Sequence, residues 1–175
     1  MKLSSLIQKT LIIALLGSAM LTRALAQSED AVKAAFLYNF AKFVEWPAAA
    51  FADGNAPLVV AFVGGGALAD TFEQNVKGKN ANGREFTVKK LSAAAGAETA
   101  QIVVIADAAQ GGATAGATKG KPVLIVADVD GAAAAIHFVK DGAKMGFELD
   151  LDVAKSAGLK VDPKLQKVAK SVKGG

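Results

Sequence analysis

Cysteine is absent from the 175 residues, so no disulfide holds this chain, and neither a thiolate zinc site nor a thiol nucleophile is open to it. Histidine occurs once, as His137, too few for an ordinary zinc site of nitrogen and sulfur ligands. A serine nucleophile would need that same histidine as its base. Beyond residue 26 the serines are Ser28, Ser92, Ser156 and Ser171, and none lies in a Gly-x-Ser-x-Gly turn. Arginine is nearly as scarce, with Arg23 and Arg84 alone. Hydrophobic runs of bilayer length are missing too: Leu11 to Leu21 falls short of the roughly 20 residues a span requires.

That run belongs to a leader. Lys2 and Lys9 lie at its front and Ala24-Leu25-Ala26 precedes Gln27, the pattern of a secretory signal peptide cleaved after Ala26. The leader carries Lys2, Lys9 and Arg23 and no acid. Of 20 basic residues 17 therefore remain against 16 acidic ones, and the net charge falls from +4 to +1. A near-neutral product with one arginine does not match a phosphate backbone, which excludes nucleic acid as a partner. The expected product is exported to the periplasm, has no transmembrane segment once the leader is cleaved, and spans 27–175, long enough for one domain with its own core.

What the chain does have is an aromatic helix at the start of that domain. Five of its eleven aromatic residues fall between Ala31 and Pro47. Val32, Phe36, Phe40, Phe43 and Val44 recur at three-and-four spacing, predicting a helix over 30–45 with that stripe inward. Pro47 disfavours helical geometry at Trp46 and ends it. Ala48 to Pro57 reads as a small-residue linker. Leu58–Val63, Gln101–Ala106 and Pro122–Ala127 are short apolar runs that suggest strands buried on both faces, and Glu85–Leu91 alternates like a half-exposed strand. Gly65–Val76 carries Leu68, Phe72 and Val76 on one helical face. Ala106 to Gly120, rich in Ala, Gly and Thr, reads either as a weak helix or as a loop. Ile136 to Leu149 is a β-hairpin around Asp141-Gly142. Helices are expected over Leu151–Ala157, stopped by Gly158, and over Pro163–Val172, with Asp162 as N-cap and Leu165, Val168 and Ala169 inward. These elements predict an α/β fold: a single domain whose mixed sheet has flanking helices in Rossmann-like layers, with a C-terminal hairpin followed by helices.

Several groups are candidates for chemistry. Gly64, Gly65 and Gly66 follow a strand and open a helix, where free amides suit an anion or, more plainly, a tight turn. A dinucleotide site would need an acid at the end of the next strand, where Lys89-Lys90 stands instead, so no cofactor is expected. Asp128, Asp130, Asp150 and Asp152 form two Asp-x-Asp pairs, read as turns and caps, with Asp152 at a cap position, ahead of a metal site. His137 alternates away from Ile136 and Phe138, and Glu148 away from Phe147 and Leu149. Tyr38 and the Trp46-Pro47 end exceed what one inward stripe needs, and aromatic anchors favour protein interfaces.

In series these segments resemble the YfiR family, also called the DUF4154 domain. The likeness runs from Lys33-Ala34-Ala35-Phe36 and Asn39 to Pro47, through Gly78-Lys79, Gly83-Arg84 and Gly120 to Leu124 with Asp128, to Phe147 to Leu151, Ala154, Gly158 to Lys160 and Lys164-Leu165. It implies a periplasmic α/β domain, usually homodimeric, with no established catalysis. Its best-understood type represses an inner-membrane diguanylate cyclase by binding the periplasmic sensory part, so that release raises cyclic di-GMP and favours biofilm. Other members are encoded beside histidine kinases or outer-membrane receptors. Tyr38, Glu45, Trp46 and Pro47 are the expected partner-binding residues. Gly64, Gly65, Gly66, Arg84, His137 and Glu148 are the expected contacts of an anionic or nucleotide-like ligand, the alternative in which the protein is a sensor for a kinase or receptor system. The chain departs from the family where cysteines are common. It also departs at Ala133-Ala134-Ala135-Ile136-His137-Phe138, where Gly-Gly-Met-Ile-Asn-Phe is usual, at Gly146 in place of Arg, and at Asp150 in place of Asn.

Overall fold

A computed structural model describes residues 29–142 and 144–175; the expected leader lies outside them. Helix α1 covers 29–43 and gives way to a two-residue strand, β1 (Val44–Glu45), two residues before the predicted helix end. β1 leaves the helix because it pairs antiparallel with β9 (Lys160–Val161), and the Asp162 amide donates to the Phe43 carbonyl at 2.8 Å.

The predicted buried runs form strands β2 (Leu58–Val63), β5 (Ile102–Ile105) and β6 (Leu124–Ala127), parallel neighbours at the middle of one mixed sheet. Outside β2 lies β4 (Arg84–Leu91), then the short β3 (Asn80–Ala81). On the other side follow β7 (Ile136–Asp141), β8 (Lys144–Asp150) and β10 (Ser171–Lys173), which completes eight strands. The hairpin runs from Ile136 opposite Leu149 to Asp141 opposite Lys144, with Gly142 at positive φ. A second hairpin, β3–β4, is closed by Asn82-Gly83, both at positive φ as a type I′ turn demands.

Period-2 alternation divides the core. Val60, Phe62, Ile102, Val104, Leu124, Val126, Ile136, Phe147 and Leu149 face α1 and α2 (Gly66–Val76). Ala61, Val63, Val103, Ile105 and Ala127 face the other way, onto Ala97, Ala100, Ala132 and Ala134. The Ala106–Gly120 segment resolves as a 3-10 turn, Ala108–Gln110, followed by helix α3 (Gly111–Thr118), which abuts the 3-10 turn Ala97–Thr99.

α1 sits on the sheet rotated from the predicted stripe. Its buried residues are Ala34, Leu37, Phe40 and Ala41, followed by Val44, whereas Val32 is 41% exposed and Phe36 and Phe43 are half-buried. The alanines explain the rotation, because small residues let the helix approach the sheet closely while Phe36 reaches sideways to Phe147, ring centroids 5.3 Å apart. Phe40 meets the same ring edge-on at 4.9 Å.

The C-terminal part also differs. α4 (Leu151–Ser156) is capped by Asp150, whose Oδ1 accepts from the amides of Asp152 and Val153 at 3.1 and 3.0 Å; the cap is therefore Asp150 and not Asp152. α5 starts at Pro163 under the expected Asp162 cap but ends at Val168, and the rest of the predicted helix is extended and forms β10 along β8. Leu165 is buried and Ala169 packs partly on the core, but Val168 is 65% exposed.

A groove at the end of the aromatic helix

Three predicted site residues from two different readings meet in one place. Glu45, Trp46 and Arg84 line a groove of about 480 Å³ together with Lys42, Phe51 and Asn82. One wall is the end of α1 and β1, another is the β3–β4 hairpin, and the third is the segment 46–57.

That third wall is a pinned strap, although its sequence of small residues suggested a linker. The indole Nε1 of Trp46 donates to the Gln101 carbonyl at 3.1 Å. The Gln101 side chain, 7% exposed, accepts from the Val59 amide at 2.8 Å and donates to the Ala50 carbonyl at 2.6 Å. A buried amide with its groups satisfied fixes geometry firmly. Further along, Arg84 Nη1 donates to the carbonyls of Asp53 and Ala56, and its guanidinium lies 3.7 Å from the Phe51 ring centroid. Gln101 and Phe51 escaped the sequence reading because their partners are about 30 to 55 residues away and no local pattern marks them.

Glu45, in the β1 wall, and Pro47, in the strap, are exposed, while Trp46 is half-buried with its ring against the core. Tyr38 is outside the groove but joined to it by Lys42, whose Nζ lies 5.5 Å from the Tyr38 ring centroid. The Tyr38 hydroxyl donates to the Asn80 carbonyl at 3.3 Å, its ring packs beside Phe86, and Lys79 Nζ lies 5.2 Å from the same centroid. Lys42 and Arg84 make the groove cationic on one side, with Glu45 as its acid.

The remaining candidates lie elsewhere. Gly64 has φ +80, and a Cβ there would stand 2.6 Å from the Asp107 Cβ; one on Gly65 would stand 2.9 Å from the Ala106 Cβ. Close approach of two turns accounts for those glycines, whereas Gly66 has open space. His137 and Glu148 are cross-strand neighbours on the sheet face turned away from α1. Gly146, next on that face, is covered by the Lys170 stem, which a Cβ would meet at 2.7 Å, so any side chain there would have to displace that lysine. Lys170 then pairs with Asp141 at 2.7 Å and holds that carboxyl below its ordinary range. Asp128 pairs with Lys33 of α1 at 2.6 Å, each side chain largely shielded. Among the described residues no three His, Asp or Glu side chains are grouped to hold a metal ion, and no helix is long and apolar enough to cross a membrane.

No curated protein matches the chain. The parallel centre and the hairpin of this fold, and the opening helix from its second residue on, fall within residues 30–170, the span matched by a family model described as YfiR/HmsC-like, and the chain therefore belongs to the DUF4154 family.

Proposed function

We propose that the protein is a non-enzymatic periplasmic regulator that docks through the groove rim, Glu45, Pro47 and the neighbouring Tyr38, onto the periplasmic part of an inner-membrane signalling protein. In this reading the partner is a diguanylate cyclase held inactive, so that release raises cyclic di-GMP; a histidine kinase is the other partner type. Family membership is consistent with a periplasmic regulator of signalling. The observation that carries the choice of surface is the pinned strap, which presents exposed Pro47 beside exposed Glu45 of β1 on a rigid support with little ordering left to do on binding.

The test is a photo-crosslinking residue at Pro47 in intact cells. The expected result is an adduct whose second protein is a membrane diguanylate cyclase or kinase, lost when Glu45 is changed to Lys, together with raised cyclic di-GMP on deletion in the cyclase case. Adducts with neither class of protein would overturn the proposal.

A second reading is favoured by the groove itself. Its volume, its aromatic walls and its cations Lys42 and Arg84 suit a small anionic aromatic ligand that sets whether docking occurs. A melting temperature unchanged by a panel of nucleotides and aromatic acids would argue against it.

A further inference from the structure

Strand β4 is paired on one side only for most of its length. β3 covers Arg84 and Glu85, and among the described residues no strand follows beside Phe86 to Leu91. The direction of the backbone groups follows from the parallel ladder with β2. The Leu91 carbonyl accepts from the Gly64 amide at 3.0 Å, so odd-numbered residues of β4 direct their amide and carbonyl toward β2. Phe86, Val88 and Lys90 therefore direct theirs outward, and Val88 and Lys90, beyond the reach of β3, have no backbone partner among the described residues.

Beside this edge, beneath the end of α2, runs a groove of about 450 Å³ lined by Val76, Phe86 and Val88, with Lys77, Lys79 and Glu85 at its rim. A strand laid about 4.8 Å outside β4 would set every second side chain over this groove and the others on the opposite face, beside Lys89. The charges there are unevenly matched. Lys90 already holds Asp70 and Glu73. Lys77, Lys79 and Lys89 have no carboxylate partner among the described ion pairs: Lys89 donates to Thr99 Oγ1, and Lys79 lies over Tyr38. The surplus at the edge is positive.

We propose that the outer edge of β4, from Phe86 to Lys90, binds an extended segment of a partner protein by strand addition. The segment has apolar residues on the α2 face, seated in the groove, and carboxylates on the face of Lys89. A second copy of this chain is the poorer occupant. Antiparallel pairing of two β4 edges within this stretch sets the two Lys89 side chains opposite or diagonal to each other, the arrangement by which edge lysines oppose self-pairing. This surface is separate from the Glu45–Pro47 rim, so its failure and that of the docking proposal are read by different variants.

The test uses three synthetic probes on the purified chain: an acetylated, amidated octapeptide alternating Val and Glu, the same peptide with Lys for Glu, and the Val-Glu peptide with alternate backbone amides methylated. The Val-Glu peptide is expected to bind and to slow hydrogen exchange at Val88 and Lys90 by about tenfold or more, while the Lys and methylated probes bind at least about tenfold more weakly. Val88→Pro removes an outward amide without touching the β2 ladder and should abolish binding. Should that variant fail to fold, the double change Lys77→Glu with Lys89→Glu, both on exposed side chains, should weaken binding by about tenfold in its place. Equal binding of the methylated probe, protection at other amides, no binding at about 1 mM, or edge amides already protected in a self-associated chain would each overturn the proposal.

Discussion

Thr114 is fully buried in α3, and its hydroxyl has no hydrogen-bond partner among the described residues. An unpaired buried hydroxyl costs free energy that an isosteric methyl does not, so Thr114→Val is expected to stabilise the fold by about 1 kcal/mol in urea denaturation. Asp150 is the opposite case, a side chain with its partners in place. The Val153 amide above all, with Lys173 and the Asp152 amide, holds its carboxyl below the ordinary aspartate range despite partial desolvation. A carboxyl lowered in the folded state contributes stability that is full above its unfolded value and is lost as the pH falls through the folded one. Asp150→Ala is accordingly expected to cost about 1 kcal/mol at pH 7 and to flatten the loss of stability below about pH 4, whereas Asp152→Ala stays within about 0.5 kcal/mol. Of these caps only Asp162 was legible, because Pro163 behind it marks the first helical position. The two Asp-x-Asp pairs look alike in sequence, and only the chain path shows that Asp150 turns back onto its own helix while Asp128 is taken by Lys33, 95 residues earlier.

At the scale of an element, α1 shows how periodicity finds a helix and still misplaces its face. Two apolar stripes overlap in this helix, an aromatic one and one of Ala34, Leu37 and Ala41, and hydrophobicity alone favours the larger rings. Packing favours the smaller residues, since they set the distance between helix and sheet. Leu37→Ala is therefore expected to cost about 2–5 kcal/mol, and Val32→Ser, on the 41% exposed side, less than about 0.5, measured by chemical denaturation. The β3–β4 hairpin carries a strong short-range signal in Asn82-Gly83, but β3 has only two residues and no apolar alternation to announce it. Ala169 to Lys173 was not readable at all, because its residues continue a helix as easily as they start a strand. The free edge of β8 decides between them.

For the whole molecule, the strand order 10-8-7-6-5-2-4-3 follows from the burial of each strand only at the centre. β2, β5 and β6 are apolar on both faces and had to lie inside the sheet, which the sequence made plain. Which strands stand at the margins is set by long-range pairing, and there β4 and β10 carry lysines, the residues that tolerate an open edge. The groove at the end of α1 is likewise assembled from three distant segments, so its residues were readable one by one while their meeting was not. The two margins differ in their hold on the core. β4 contributes Phe86 and Val88 to it, whereas all three residues of β10 are exposed and Val172 is 42% so. Ending the chain after Lys170 is therefore expected to lower the melting temperature by only a few degrees, roughly what the loss of about 1 kcal/mol brings in a domain of this size. Hydrogen exchange should quicken at the β8 amides that face β10 and stay unchanged in β5, because the two strands belong to regions of different local stability. Faster exchange throughout β5 would instead mean that β10 closes the core and is not a detachable margin.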